Sequence, residues 1–405
     1  MPAEPDEPLR IAHFALGRVN REAADGIDKT VYYLTRAQAA LGHSVRLFSI
    51  SNKPPIPIPG VSIATYPALR ASRLLFTPRL RDLLCWRSPL NLPARLIADV
   101  LAWNPHVLHL HGVHIPQNLI LAARARRAGI PYCVSIHGML APEAQGRRRW
   151  LKRAAAVFER SHLDRAAFIH VLAESEVAGL SLYGAHGVRV VAPNGIDLES
   201  FAGTDRGPAS TRGLPTAPQE RTFLFLGRLD PGQKGLDLLL EGFAQSGLSH
   251  ARLVLVGPDW RGSERTLRTL ASQLGIAPSV HFTGAAFGQR KIDLLAGADV
   301  FVHPSRWEGL SFSVLEAAGL GKPCLLTAAA DPGGKLGSAG AALIVPPTAD
   351  GIAAGLRTFA GMDPTALDEM GRRGRRVAEE EFAWPPAARR IVDAYLTHAV
   401  REAAS

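Results

Sequence analysis

Two doubly wound α/β domains, each built on a parallel sheet, are the architecture this sequence predicts. Three observations carry it. Short apolar, β-branched runs alternate with longer helical patterns along the whole chain. The alternation occurs twice, on either side of a Gly-, Pro-, Ser- and Thr-rich stretch from Ala202 to Glu220 that has no apolar periodicity. The length of 405 residues suits two to three domains.

In order, LRIAHFAL (9–16) reads as the first strand, and Lys29 to Leu41 as a helix stopped by Gly42. The runs at 45–50, 107–111, 131–137, 167–172 and 188–193 are further strands. The second half repeats the rhythm. Strand TFLFLG (222–227) is followed by a helix from Leu236, RLVLVG (252–257) by a helix over Glu264–Leu274, and VHFTG (280–284) by DVFVHPS (299–305). A helix from Ser313 and the strand PCLLT (323–327) complete it. Strands apolar throughout, alternating with helices, are those of parallel sheets covered on both faces. The expected division is a first domain over 1–200, a linker over 201–220, a second domain over 221–383 and a C-terminal helix over 384–405 that can pack back on the first. Doubly wound sheets bind ligands beyond the carboxyl ends of their strands, so the site is expected in a cleft between the domains.

Composition narrows the class. Apolar residues form 47% and charged residues 20%, enough to bury a large core. No run approaches the ~20 apolar residues of a membrane span, and MPAEPDEPLR has neither the basic nor the apolar region of a signal peptide. A cytoplasmic protein is expected. Three cysteines, far apart and without CxxC, argue against a disulfide framework or structural zinc. The net charge of +10, from 46 Lys+Arg against 36 Asp+Glu, points to an anionic partner: nucleic acid, a membrane surface or a phosphorylated ligand.

The densest chemical signal is Gly227-Arg228-Leu229-Asp230-Pro231-Gly232-Gln233-Lys234-Gly235, between a strand and a helix. Glycines permit close backbone approach, the helix start offers free N–H groups, and Arg228 and Lys234 supply charge, a combination that suits a diphosphate. Each charged hydrogen bond contributes about 1.5–3 kcal/mol. It is not a Walker A loop, which needs Lys where Gln233 stands, nor GxGxxG. The bland alternative is a tight turn with two solvated cations.

Glu308 and Glu316 follow, eight residues apart. On a continuous helix that spacing rises about 12 Å, too far for the roughly 5–5.5 Å or 6.5–9.5 Å carboxylate pairs of glycosidases unless the chain turns at Gly309. Ser313-x-x-Glu316 also fits a capping box. His106, His109, His111 and His114 lie close together, but a metal would want a third ligand and no nearby Asp or Glu supplies one, so no metal site is assigned. His137, before Gly138 at a strand end, has the better functional claim. Its alternative is a buried, hydrogen-bonded histidine.

These motifs together resemble the retaining glycosyltransferase family 4, of GT-B fold. Glu308 to Glu316 resembles its E-x7-E motif. PNGID (193–197), GRLDPGQKG (227–235), VGP (256–258), FTG (282–284) and ADVFVHPSRWEGLSFSVLEAAGLGKP (298–323) occur in the family's order, preceded by DGIDKTVYYLTRAQAALGHSV (25–45) and HLHG (109–112). SIHGML (135–140), with the basic segment after it, resembles bacterial enzymes of exopolysaccharide and lipopolysaccharide synthesis.

The resemblance implies sugar transfer from a nucleotide diphosphate donor with retention, no cofactor and no obligatory metal. It implies that Arg228 and Lys234 hold the diphosphate, Glu316 the ribose, and Glu308 the donor sugar, with His137 facing that sugar. Gly26, Gly227, Gly284, Gly309, Leu310 and Ser311 line the donor site. Two departures stand out: relatives carry Gly-Gly where this chain has Asp25-Gly26, and an acidic residue near Gly333-Gly334, where Lys335 follows here. Competing readings are another GT-B enzyme, an epimerase or phosphorylase, and a non-enzymatic basic protein binding membrane or nucleic acid. No lysine is singled out for pyridoxal phosphate, and no zinc-finger or RNP signature appears, so nucleic acid is not expected as a partner.

Finally, six arginines (70, 73, 79, 81, 87, 95) against Asp82 are interleaved with Leu, Phe76 and Trp86. Seven further basic residues lie between Arg147 and Arg165. Such helices can lie in an anionic membrane interface, bringing the site to a glycan or polyprenyl-linked acceptor at the inner leaflet. They are equally compatible with solvated helix faces packed on the sheet.

Overall fold

The computed structural model describes residues 7–21, 26–68, 92–140, 149–201 and 220–400. The expected linker lies outside the described residues over 202–219, as does the first basic stretch over 69–91 and the start of the second over 141–148. The chain forms two compact units, Met1–Gly195 with Trp384–Ser405, and Ile196–Ala383.

Unit 1 holds a seven-stranded sheet. Its strands are β1 (Arg10–Leu16), β2 (Ser44–Ile50), β3 (Val61–Tyr66), β4 (Val107–His111), β5 (Tyr132–Ser135), β6 (Ile169–Val171) and β7 (Arg189–Val191). Their spatial order is β3-β2-β1-β4-β5-β6-β7, and every pairing is parallel. Unit 2 holds β8 (Arg221–Leu226), β9 (Ala251–Val256), β10 (Val280–Gly284), β11 (Val300–His303), β12 (Cys324–Thr327) and β13 (Ala342–Val345). Their order is β10-β9-β8-β11-β12-β13, again parallel throughout. The strand order of each sheet reverses once, between β1 and β4 and between β8 and β11. At such a switch point the loops leaving two adjacent strands diverge to opposite faces and leave a crevice.

Helices cover both faces, so the inner strands of unit 2 are buried: ARLVLV of β9 and VFVH of β11 have no exposed residue. Four expected strands are markedly shorter than their runs. The 131–137, 167–172, 188–193 and 299–305 segments are strands only over Tyr132–Ser135, Ile169–Val171, Arg189–Val191 and Val300–His303. Two strands escaped sequence reading, β3 and β13. Both are edge strands: VSIATY mixes polar with apolar residues and is mostly half-buried, and ALIV is apolar but only four residues long. The helices Ala349–Ala360 and Pro364–Glu381 were also missed. The C-terminal helix Trp384–Tyr395 belongs to unit 1, where it packs against the helix Gly26–Ala40 and Trp384 stacks on Tyr33.

One close approach shapes the unit 2 crevice. The segments leaving β8 and β9 run side by side, with Leu229 N donating to Pro258 O at 3.0 Å. A Cβ on Gly257 would lie 1.7 Å from the Gly227 carbonyl oxygen, so only glycine lets the two backbones meet.

Candidate active site

The loop after β8 is folded by its own residues. Asp230 caps the short turn Pro231–Lys234, its carboxylate accepting from Gln233 N at 3.3 Å. Gly235 then takes a left-handed conformation (φ 65°), and the helix Leu236–Ser246 begins at once. A Cβ at Gly235 would sit 2.2 Å from Pro304 O, so this glycine presses the turn against the segment leaving β11. The Arg228 guanidinium lies 4.4 Å over the Trp260 ring and donates to Gln233 Oε1 at 3.1 Å, a stacked, half-buried cation on the loop.

Lys234 does not fit the bland alternative of two solvated cations. Its side chain is 11% exposed and its ammonium is paired with the Glu308 carboxylate, itself 8% exposed. The same carboxylate oxygen, Oε1, accepts from Ser305 Oγ at 2.6 Å and lies 2.9 Å from His303 Nε2. His303 is sandwiched by Phe225 and Phe301, with ring centroids at 5.3 and 5.8 Å. Thr327 Oγ1 fixes the Ser305 carbonyl at 2.6 Å. Burial alone would raise the Glu308 carboxyl, but the Lys234 charge and the His303 hydrogen bond outweigh it and hold the group well below the usual carboxylate range. Burial and the Lys234 charge lower His303, which therefore donates from Nε2 as a neutral imidazole.

Beyond Gly309, Leu310 packs on the core and Ser311 is the N-cap of the helix Phe312–Gly319. This register removes the Ser313-x-x-Glu316 capping box, because Ser313 is the second helical residue and not the cap. The Glu308-to-Glu316 segment is also not one helix. Glu316 is buried at 7% exposure and accepts from Lys291 Nζ at 2.8 Å, across from the helix Gly288–Gly297. Gly284 closes β10, its carbonyl accepting from Gly257 N at 2.9 Å.

Unit 2 thus gathers Gly227, Arg228, Lys234, Glu308, Gly309 and Ser311 on the loops after β8 and β11, on the two sides of its switch point. Sequence reading missed His303 and Ser305, although the His-x-Ser-x-x-Glu spacing placed them next to Glu308. It also missed Lys291, whose partner is 25 residues away.

In unit 1, Gly26 opens the helix Gly26–Ala40, and its carbonyl accepts from Thr30 Oγ1 at 2.9 Å; Asp25 lies outside the described residues. His137 follows β5 in a left-handed conformation (φ 51°), with Gly138 the same (φ 71°). The expected four-histidine group divides. His106 accepts from Arg10 N, and His114 N donates to Glu159, whereas His109 and His111 are buried at the switch point. There His13 of β1, in register with His109, joins them. Nitrogens of His13, His109 and His111 lie within 4.8 Å of one another. Every ring nitrogen of these three is already hydrogen-bonded to a neighbour.

Comparison with known proteins agrees in both halves. Residues 25–195 match the family described as glycosyl transferase 4-like domain, and residues 220–360 the glycosyl transferases group 1. A D-inositol 3-phosphate glycosyltransferase of Gordonia bronchialis is 31% identical over 251 residues, covering 58% of this chain and 54% of that protein. The chain spans about half the length of the curated relatives it matches. The fold is that of the sucrose-phosphate synthase of Thermosynechococcus elongatus, with TM-score 0.78 and 20% identity over 98% of this chain and all of that one. Anabaena HepE in complex with UDP and glucose has the same fold, with TM-score 0.71 and 15% identity over 96% of this chain and all of that one.

Two expectations follow. Lys234→Ala strands a buried carboxylate, which costs about 3–5 kcal/mol, so urea denaturation should show a sharply lowered midpoint. Adding Glu308→Gln to Lys234→Ala should recover most of it; a single variant as stable as the parent would show the pair to be unimportant to the fold.

The second concerns pH. Burial pushes His13 and His170 down to about 4 and His137 to about 3, against 6.5 for the free group. Between those values the unfolded chain binds protons that the folded one does not, so the contribution present above about 6.5 is lost as pH falls toward 4. Glu159 and Glu176, raised by burial to about 7, act oppositely, and their contribution is lost as pH rises from about 4.5 to 7. The histidines outnumber them. The urea midpoint should fall between pH 7.5 and pH 5, and replacing His170 by Asn should flatten that fall.

Proposed function

Because the chain belongs to the group 1, GT4-like glycosyltransferases, we propose that it is a retaining enzyme. It moves a sugar from a UDP- or GDP-linked donor to a glycan or lipid-linked acceptor of a bacterial surface polysaccharide. The observation that carries the reading is the Lys234–Glu308 pair beside Arg228 at the unit 2 switch point. It is a preorganised, partly dry arrangement of two cations and a carboxylate.

The chemistry follows from what changes during transfer. As the anomeric C–O bond breaks, the diphosphate gains negative charge, and fixed cations already in place stabilise it without reorganising. Arg228, held by Trp260 and Gln233, and Lys234, held by Glu308, are such cations. Glu308 accepts hydroxyls of the transferred sugar. Because its Oε1 is occupied by Lys234, His303 and Ser305, its other oxygen takes this role. Glu316 receives the ribose hydroxyls while the Lys291 ammonium holds its carboxylate in place. Neither step needs a metal or a covalent intermediate on the protein.

The acceptor side rests on SIHGML and on the helix Arg149–Asp164. Val157 and Phe158 on that helix are 67% and 71% exposed, beside exposed Arg160 and Arg165. Among the described residues no helix is long and apolar enough to cross a membrane. We assign peripheral association with the cytoplasmic face, by basic and apolar contact with an anionic surface.

Thermal shift with UDP- and GDP-sugars should stabilise the protein with one nucleotide class, and hydrolysis of that donor should be measurable. Glu316→Gln should weaken free nucleotide and full donor alike by about tenfold, the worth of one charged hydrogen bond. Glu308→Gln should weaken the sugar-bearing donor more than the free nucleotide, and should lower stability because it leaves Lys234 without its charged partner. A Glu316→Gln variant with a lowered melting temperature but unchanged kinetics would reduce that residue to a structural one.

For the surface, sedimentation with anionic liposomes at low salt should carry the protein down, and high salt or neutral lipid should release it. Replacing Val157 and Phe158 by Ser should halve the bound fraction or more. Equal binding to neutral vesicles, or none at low salt, would favour a soluble acceptor.

A further inference from the structure

Five histidines of unit 1, His13, His109, His111, His137 and His170, belong to one continuous hydrogen-bonded chain, and its direction can be read atom by atom. It starts at the Ala192 carbonyl, which only accepts, so His170 Nε2 donates to it at 2.7 Å. A neutral imidazole has one donor and one acceptor. His170 Nδ1 therefore accepts, from the Ser135 hydroxyl at 2.6 Å. That hydroxyl has spent its hydrogen and accepts from His109 Nε2 at 2.6 Å. His109 Nδ1 then accepts from the Tyr395 hydroxyl at 2.5 Å, and Tyr395 accepts from the Gln38 amide nitrogen at 3.1 Å.

Gln38 presents its carbonyl to His13 Nε2 at 2.7 Å, so His13 donates there and accepts at Nδ1 from His111 Nε2 at 3.0 Å. His111 Nδ1 accepts from His137 Nε2 at 3.1 Å. The orientation of the Gln38 amide agrees with the direction imposed from Ala192. The chain ends on His137 Nδ1, a buried atom with no hydrogen-bond partner among the described residues.

Neutrality, on which the direction depends, has a clear origin. Burial pushes His13 and His170 to about 4, His137 to about 3, and His109 and His111 well below their ordinary value, with repulsion from neighbouring imidazoles adding to it. An extra proton on an inner ring would put two N–H groups face to face.

We infer that this relay fixes His137 as the Nε2–H tautomer, so that its Nδ1 lone pair accepts a hydrogen bond from a neutral hydroxyl of the substrate and rejects an anionic oxygen. His170, Ser135, His109, Tyr395, Gln38, His13 and His111 are positioning residues. The protonated nitrogen of a histidine is set by what its other nitrogen meets, and here that condition is passed from a backbone carbonyl through seven side chains. The left-handed backbone at His137 (φ 51°) holds the ring at the end of the chain. That the hydroxyl belongs to a sugar rests on the glycosyltransferase reading; the tautomer does not.

The test is long-range 1H–15N correlation of the full chain labelled with 15N-histidine, near neutral pH, with signals assigned by single His→Asn substitutions. All five imidazoles should be neutral and protonated at Nε2. Tyr395→Phe and Ser135→Ala each cut the relay from the Ala192 carbonyl, at different points in case one variant does not fold. In either, His137 should become a mixture of tautomers. The kcat/KM for sugar transfer should fall about tenfold, the scale of one lost hydrogen bond, while free nucleotide binds as before.

His137 protonated at Nδ1, or charged, in the parent protein would overturn the inference. So would an unchanged His137 tautomer in both variants, or stoichiometric zinc on the purified protein that perturbs His13, His109 and His111. Five Nε2–H imidazoles in a protein inactive with every nucleotide sugar would instead leave the relay standing and remove the enzymatic reading.

Discussion

The pairing of Lys234 with Glu308 is the interaction on which the unit 2 site depends. It joins the loop leaving β8 to the loop leaving β11, two strands adjacent in the sheet and 74 residues apart in sequence. Neither group is tolerable in its place alone, because a charge withdrawn from water is costly until a partner and further hydrogen bonds compensate it. The partners come from fixed elements: His303 is the last residue of a fully buried strand and Ser305 is anchored through Thr327. The loops are thereby held at a set separation before any ligand arrives. Arg306 adds a second tie between them, bidentate to Asp237 at 2.7–2.8 Å and donating to the Pro231 carbonyl at 2.8 Å.

The two units solve the same problem in opposite ways. Each must place polar groups at the switch point of a sheet whose strands are buried on both faces. Unit 2 keeps full charges there and neutralises them in pairs, Lys234 with Glu308 and Lys291 with Glu316. Unit 1 keeps its groups uncharged and satisfies them by handing each hydrogen to the next. Charge suits the diphosphate proposed for unit 2, and a neutral, directional chain suits the sugar hydroxyl proposed at His137.

What was legible in the sequence follows from the range of the interactions. The central strands could be read because a strand buried on both faces is apolar along its length, as in β8 and β9. The Asp230–Gly235 turn could be read because a cap, a proline and a glycine act within six residues. β3 and β13 could not, since VSIATY mixes polar with apolar residues and ALIV is only four residues long. Nor could the state of Lys234, whose solvation is decided by a residue 74 positions away, or the capping register at Ser311, which is set by where β11 releases the chain. His109 and His111 looked like an incomplete ligand set because their third neighbour, His13, arrives through strand register and their fourth contact, Tyr395, from the far end of the chain.

That last contact explains why the C-terminal helix belongs to unit 1. Trp384 stacks on Tyr33 and closes over Gly195, where a Cβ would lie 2.5 Å from the Trp384 backbone. Tyr395, one helix length later, is fully buried against His109 and Gln38. Apolar packing would be satisfied equally by Phe at this position. The hydroxyl is what an apolar core does not require, and burying it without partners would be unfavourable. Here it has two, one on each side, and both are needed: it links the His170–Ser135–His109 segment of the network to Gln38 on the Gly26–Ala40 helix. The helix is thus held to unit 1 by packing and by polarity together, and the polarity is continuous with that of His137.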